Sequence, residues 1–209
     1  MSEFLATMKK ESLFLKLEKC CFVERQVEFL GYIIDQGTIC IDPSKKHGLE
    51  EWPRELKSVK EVRSTLGVLG YQRQFVPNFA HITQPLMALL KKGTKFQWSQ
   101  ACTNAVDALI ECVTCNPVLQ RPDTTKPFIL EVDASQYASR AILHQPDEQE
   151  RLRPVAYYSQ TFNGAERNYD IHDRELLAIM RELEQWQHLI LSSPHKLTVI
   201  SDHANLQYY

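Results

Sequence analysis

The sequence lacks any apolar run long enough to cross a membrane as a helix, since such a span needs about 20 consecutive apolar residues. Its first residues, Met1–Phe4, do not show the basic segment followed by an apolar one that predicts a secretory signal peptide. Internal repeats and low-complexity segments are missing as well. These absences predict a protein with no membrane partner.

The six cysteines lack the pattern of a zinc site. Cys112 and Cys115 form one CxxC pair, and no second pair follows, whereas a structural zinc site needs about four ligands at matched spacing. The pair lies in an amphipathic stretch, which favours a structural role for reduced thiols. An intracellular, reducing compartment fits this pattern best.

What the sequence does contain is enough apolar material for a packed core. Of its 209 residues, 44% are hydrophobic and 24% are charged, which indicates one large or two small domains. Residues 1–120 carry a small positive balance, and residues 121–209 carry an excess of four acidic side chains. The acidic half can hold a metal, and the weakly basic half gives slight support for nucleic-acid binding.

The N-terminal part begins with the end of a helix within the first twenty residues. Val27–Ile34 is an apolar run typical of a strand, and Asp35–Gly37 is typical of a turn. Thr38–Ile41 can pair back as the second strand of a hairpin. Pro43, directly after Asp42, can then open a helix.

The pattern is helical from there to about Val113. Ser58 and Glu61 have the spacing of a capping box, and apolar residues follow at helical intervals. Pro77-Asn78 is expected to break the helix, a shorter helix to reach Leu90, and Ser99 to cap another.

The pattern changes near residue 118 to strands that alternate with a helix. The expected strands are Phe128–Val132, Ala141–Leu143, Val155–Tyr158 and Leu197–Ile200. A helix is expected over residues 173–190. The fold class is therefore α+β: a helical part followed by a mixed α/β domain.

Three acids of the C-terminal part could share metal ions. Asp133 and Asp202 each follow an expected strand, and Glu175 lies in the first turn of the expected long helix. Neighbouring strands that end side by side would bring their carboxylates together, and oxygen ligands suit Mg²⁺. Each acid also has a structural interpretation, as a cap of a turn or helix or as a favourable charge at the helix dipole. Spacing alone leaves both interpretations open.

Several longer motifs resemble one family. They are Phe29–Tyr32, Trp52-Pro53, Leu66-Gly67, Tyr71–Ala80, Pro85-Leu86, Phe96-x-Trp98, Phe128–Ser135, Ala165–Tyr169, Arg174–Ile179 and Ser201–Leu206. In this order they resemble the reverse transcriptase and ribonuclease H of a gypsy-type LTR-retrotransposon Pol polyprotein. The resemblance covers nearly the whole chain.

The resemblance implies three regions. Residues 1–41 would be the end of the reverse transcriptase palm with a primer-grip-like hairpin, residues 42–118 the helical thumb and tether, and residues 119–209 an incomplete ribonuclease H-like domain. It also implies an RNA–DNA hybrid or primer-template as partner, together with the rest of the Pol polyprotein. The expected location is a cytoplasmic particle or the nucleus.

The resemblance also implies site residues. Asp133, Glu175 and Asp202 match three of the four acids with which the family holds Mg²⁺ (or Mn²⁺) and cuts the RNA strand of a hybrid. The fourth acid and the closing elements are expected beyond the end of this sequence, and the polymerase aspartates before its beginning. The residues expected to contact nucleic acid are Phe29, Leu30, Gly31, Tyr32, Arg73 and His203.

Some positions depart from the family pattern. Arg140 stands where a glycine is usual in the second strand, so the hairpin there is in doubt. Gln72 and Gln74 replace an aromatic and a basic residue. These departures leave open a second hypothesis, in which the chain is a domesticated, non-catalytic module that binds protein or nucleic acid.

Other candidates keep two interpretations. His172 and His203, beside the acids, could be ligands, although a surface or supporting role is favoured. The aromatic residues at helical spacing could stack on bases but are expected mostly in the core; they are Tyr71, Phe75, Phe79 and Trp98.

Overall fold

The computed structural model describes residues 2–16, 18, 20–115 and 118–202, and its architecture confirms the α+β class. The helices are α1 (Ser2–Lys10), α2 (Pro43–Glu50), α3 (Val59–Tyr71), α4 (Phe79–Ile82), α5 (Gln84–Ala88), α6 (Gln100–Thr114), α7 (Ile171–Gln185) and α8 (Gln187–Ile190). The strands are β1 (Val27–Phe29), β2 (Tyr32–Ile34), β3 (Thr38–Ile41), β4 (Leu119–Gln120), β5 (Ile129–Ala134), β6 (Ala138–Pro146), β7 (Leu152–Thr161) and β8 (Thr198–Ser201).

Four short strands form a small antiparallel sheet in the order β1-β2-β3-β4. The expectation of one strand over Val27–Ile34 is wrong, because the chain reverses at Leu30 and Gly31. Both residues have a positive φ, 53° and 81°, and this backbone matches the twist of a two-residue hairpin turn. The expected pairing of this region with Thr38–Ile41 does form, between β2 and β3.

The helical part begins as the capping residues predict. The Asp42 carboxylate accepts a 2.8 Å hydrogen bond from the Ser44 amide at the start of α2. The Ser58 hydroxyl accepts a 3.2 Å bond from the Glu61 amide at the start of α3. The return bond of the capping box reaches one residue further back than usual, from the Lys57 amide to Glu61 at 2.8 Å. Two backbone donors of the first turn are thereby satisfied.

The expected break after α3 is present, and it has a specific backbone conformation. The helix ends at Tyr71, one 3₁₀ turn follows over Arg73–Phe75, and Asn78 adopts a left-handed φ of 58°. Asparagine tolerates this region better than most residues, so the chain turns there and the short helices α4 and α5 follow.

The first core lies between these helices and the small sheet. Leu119 in β4 belongs to it and is 2% exposed, because β4 pairs with Thr38 and Ile39 of β3. The sheet therefore includes residues that follow the expected boundary near residue 118. The most deeply buried members are Val62, Leu69, Val76, Leu86, Val106, Leu109 and Val113.

The second sheet has the order β7-β6-β5-β8, with β5 and β8 parallel and the other pairs antiparallel. Its strands β6 and β7 are longer than the segments expected from the sequence. The long helix packs on one face, starts at Ile171 and ends at Gln185, so the prediction of one helix over residues 173–190 is wrong at Trp186. Buried members of this second core include Phe128, Leu130, Val132, Leu143, Phe162 and Ala178.

The helical part and the second sheet are in direct contact. Arg73 donates a 2.7 Å hydrogen bond to the Ser159 carbonyl, and its guanidinium lies 4.5 Å from the centre of the Tyr158 ring. The Ala80 amide donates a 2.8 Å bond to the Ser159 hydroxyl. The helical part thus packs against β7 through Tyr158 and Ser159.

Candidate metal centre and nucleic-acid interface

The parallel pairing of β5 and β8 places two acids at one edge of the sheet. Val132 pairs with Ser201, so the two strands end at the same level. Asp133 is the penultimate residue of β5, rather than the residue after the strand as expected, and Asp202 follows β8 directly. Parallel strands of one sheet present such end residues side by side.

The third acid comes from the helix that covers the sheet. Glu175 lies in the second turn of α7, rather than in the first turn as expected, because the helix begins at Ile171; its side chain is 2% exposed. Its carboxylate accepts a 3.2 Å hydrogen bond from the Ala134 amide and a 3.5 Å bond from the Ser201 hydroxyl. Burial raises the pKa of Glu175 above its usual value, and the negative charges of Asp202 and Asp133 raise it further.

The three carboxylates form one cluster. One oxygen from each of Asp133, Glu175 and Asp202 lies within 4.8 Å of the others. Charges held this close repel one another, and a divalent cation bound between them would relieve the repulsion. Asp202 is exposed and Asp133 half-buried, so the cluster opens to solvent on one side. The geometry therefore brings three carboxylate oxygens together at a position that is open to solvent.

Arg140 adds a positive charge to this cluster. It faces Asp133 across β5 and β6, and its Nε lies 2.5 Å from the Asp133 Oδ2. The hairpin that Arg140 placed in doubt is formed, with six consecutive residue pairs from Ile129 to Ala134. This ion pair was not predicted from the sequence, since it depends on the register of two strands. The alternation of buried and exposed residues along β5 and β6 could have suggested that Asp133 and Arg140 lie on the same face of the sheet, but not that they pair directly.

A second pair of polar side chains lies further along the same face of the sheet. Glu131 and His144 approach to 3.1 Å, and Glu131 shares the exposed side of β5 with Asp133 because side chains two apart point the same way. Beyond Arg140, a cavity of about 270 Å³ is lined by Asn78 and His81 of the helical part. The acidic cluster therefore lies beside the contact between the two parts of the fold.

The expected primer-grip segment forms the β1–β2 turn. Phe29 and Leu30 at its tip are 58% and 67% exposed. Tyr32 is half-buried, and its hydroxyl donates a 3.0 Å bond to the Tyr71 carbonyl, while the Tyr71 hydroxyl donates a 2.9 Å bond to the Leu30 carbonyl. The two rings stack with centres 5.5 Å apart. The turn is thus fixed to α3 and presents two apolar side chains to solvent.

The other residues expected to contact nucleic acid differ in their surroundings. Arg73 is half-buried between the two parts, where its guanidinium also lies 5.8 Å from the Phe79 ring. His203 lies outside the described residues. Of the aromatic residues expected in the core, Phe75 is fully buried, Phe79 and Trp98 pack at the edge of the core, and Tyr71 is half-exposed.

The remaining polar candidates lie at the surface or apart from the cluster. His172 is exposed at the start of α7. All six cysteines are free, with Cys112 half-buried and Cys115 exposed. Among the described residues, no helix is both long and apolar enough to span a membrane.

Comparison with known proteins assigns this arrangement to a family. Residues 98–199 match the family described as an RNase H-like domain found in reverse transcriptase. The Tf2-3, Tf2-4 and Tf2-5 transposon polyproteins of Schizosaccharomyces pombe are each 35% identical to 99% of this chain. The chain is a retrotransposon polyprotein segment of the reverse transcriptase and ribonuclease H-like type. It spans 15% of the length of these relatives. Since all three are transposon polyproteins, the comparison gives no support to the hypothesis of a domesticated, non-catalytic module.

Solved structures show the same fold. A foamy viral protease-reverse transcriptase in complex with double-stranded DNA superposes with a TM-score of 0.78 at 22% identity, over 99% of this chain and 36% of the viral one. The foamy viral enzyme in complex with an RNA/DNA hybrid gives 0.74 at 23% identity, over 99% and 29% of the two chains. Because the sequence identity is below 25%, these superpositions show a shared fold only.

Proposed function

We propose that Asp133, Glu175 and Asp202 bind divalent cations, Mg²⁺ or Mn²⁺, and that in the complete polyprotein they hydrolyse the RNA strand of RNA–DNA hybrids. The observation that carries the proposal is the carboxylate cluster, whose oxygens lie within 4.8 Å of one another. It lies at the end of two parallel strands, and Asp133 and Glu175 fall inside the region that matches the RNase H-like family.

The donor set fits the cation. All three side chains offer carboxylate oxygens, which are the ligands that Mg²⁺ prefers, and an open side leaves room for the waters that it retains. The buried Glu175 is oriented by the Ala134 amide and the Ser201 hydroxyl. A carboxylate fixed in this way is preorganised, so little side-chain entropy is lost on binding.

Each residue has its own part in the proposed site. Glu175 supplies a buried carboxylate oxygen from the helix, and Asp133 supplies an oxygen from the sheet. Asp202 supplies the third oxygen from the solvent-exposed side of the cluster. When bound, two divalent ions about 4 Å apart would activate the attacking water and stabilise the leaving oxygen. The RNA strand would approach along the face of β5 and β6, where Asp133 is accessible.

We assign the substrate contacts of the N-terminal part to the exposed turn. Phe29 and Leu30 offer apolar contact from a turn that the Tyr32 and Tyr71 hydrogen bonds hold in place. In this proposal residues 1–41 belong to the palm, residues 42–118 to the thumb and tether, and the rest to the ribonuclease H-like domain. The partner is an RNA–DNA hybrid or primer-template; the compartment would be a cytoplasmic particle or the nucleus.

The test is cleavage of a labelled RNA–DNA hybrid by the purified chain in Mg²⁺ or Mn²⁺. We expect slow cutting of the RNA strand, because the sequence matches three of the family's four acids, and its loss in Asp133→Asn. Glu184→Gln, an exposed acid of α7 away from the cluster, is the matched control and should cut like the unsubstituted chain. Cleavage that persists in Asp133→Asn would show that the cluster is not the nuclease site.

A further inference from the structure

Arg140 is bound to one carboxylate of the proposed metal site. Its Nε is 2.5 Å from the Asp133 Oδ2, and the two residues are direct partners in the antiparallel register of β5 and β6. A guanidinium that donates to a carboxylate oxygen uses one of the lone pairs through which the carboxylate could bind a metal ion. The ion pair therefore makes Asp133 a weaker ligand at this oxygen.

The charge of Arg140 opposes a cation in the same place. A divalent ion bound by Asp133 would lie within a few ångströms of the guanidinium, and two positive charges this close repel each other. Movement of the Arg140 side chain would relieve the repulsion. Metal binding and the ion pair thus compete at one carboxylate.

The surroundings permit that movement. The Arg140 side chain is 56% exposed, and a solvent-exposed ion pair contributes little to stability. The cavity of about 270 Å³ at the ion pair is lined by Asn78, His81 and Ser159 together with Asp133 and Arg140, so the guanidinium has room to change its conformation. The ion pair is therefore easily broken but still weakens metal binding.

We propose that Arg140 is an internal competitor of the divalent cation: it neutralises Asp133 while no metal is bound, and its ion pair with that carboxylate lowers the affinity of the cluster for the ion. The inference rests on the proposed function, since it takes the acidic cluster to be the metal site. It assigns to one residue of β6 control over the metal affinity of the cluster. Metal binding would be weakest where the ion pair is intact.

The test measures Mn²⁺ affinity directly by isothermal titration, without reference to cleavage. The variants are Arg140→Gln, which removes the charge, and Arg140→Lys, which keeps it. Arg153→Gln is the control, because Arg153 forms a comparable ion pair with Asp147 near the other end of β6 and alters the net charge by the same amount. Circular dichroism checks that each variant is folded.

We expect Arg140→Gln to bind Mn²⁺ about threefold or more tightly, which corresponds to the upper part of the range for an exposed ion pair. Arg140→Lys and Arg153→Gln should stay close to the unsubstituted chain. Unchanged affinity in Arg140→Gln, together with loss of binding in Asp133→Asn, would overturn the role of Arg140 and leave the metal site standing. No binding by any folded variant would overturn both. Binding by Arg140→Gln alone would support the competition most strongly.

Discussion

The guanidinium of Arg73 donates a 2.7 Å hydrogen bond to the carbonyl of Ser159, a residue 86 positions further along the chain. The same group lies 4.5 Å from the centre of the Tyr158 ring. Arg73→Ala removes both contacts and leaves a partly buried carbonyl without this donor. We expect it to lower the free energy of unfolding by about 1–3 kcal/mol, the cost of leaving a buried hydrogen-bonding group without its partner, as measured by urea denaturation.

Arg63→Ala is the control for this change, because Arg63 is exposed on α3. It should shift the urea midpoint little, since most surface substitutions stay within about 0.5 kcal/mol. Equal effects of the two substitutions would contradict the contribution assigned to the Arg73–Ser159 contact.

The buried carboxyl group of Glu182 should make the stability of the fold depend on pH. Its side chain is fully buried and accepts a 3.1 Å bond from the Ser139 hydroxyl. Its second oxygen has no hydrogen-bond partner among the described residues. Burial raises the pKa of Glu182 from 4.5 to about 7, although the charges of Arg181 and Arg73 act to lower it.

The folded chain therefore retains this proton to higher pH than the unfolded chain. Its contribution to stability is fully present below pH about 4.5 and is lost as the pH rises through about 7. We expect Glu182→Gln, which keeps the shape without the charge, to remove up to about 3 kcal/mol of this pH dependence. Unfolding curves at pH 5 and pH 8 measure it, and Glu184→Gln should leave the difference between them unchanged.

The capping box at the start of α3 can be tested on its own. Ser58 accepts a bond from the Glu61 amide and donates one of 3.0 Å to the Glu61 carboxylate. Ser58→Ala should lower the free energy of unfolding by about 0.5–2 kcal/mol. Ser64→Ala, at an exposed position of the same helix, should have little effect because it caps nothing. A larger loss in Ser64→Ala than in Ser58→Ala would be inconsistent with the cap.

Metal-dependent stabilisation tests Glu175 as a ligand. A cation that binds only the folded chain raises its stability by about 1.4 kcal/mol when the free metal is tenfold above its dissociation constant. We expect 10 mM Mg²⁺ to raise the melting temperature of the unsubstituted chain and of Glu184→Gln. The increase should disappear in Glu175→Gln, which keeps the size of a side chain that is 2% exposed. A persistent increase in that variant would place the bound ion elsewhere.

The elements that local chemistry determines were predictable from the sequence. Asp42 and Ser58 mark helix starts, and each forms the expected bond. The meeting of Asp133 and Asp202 followed from the apolar strands that precede them. These features depend on residues a few positions apart, or on the rule that neighbouring parallel strands end together.

What the sequence did not reveal depends on long-range geometry. Leu30 adopts a left-handed backbone that a leucine seldom takes, so Gly31 was the local signal for the turn inside the expected strand, and a single glycine in an apolar run is a weak one. The pairing of Arg140 with Asp133 requires the register of the sheet. The position of Arg73 requires the packing of β7 against the helical part. No property of these residues alone distinguishes such contacts from solvent exposure.

The two-residue strand β4 has a consequence for the order of folding. Its pairing of Gln120 with Thr38 closes a loop that contains the helices α2 to α6 of the helical part. Such a loop has a high entropic cost of closure, and contacts this far apart in sequence slow folding. We expect α3 and α6 to gain structure from local contacts first, and Leu119 to dock last. The pairing of β4 with β3 would then complete the small sheet late in folding.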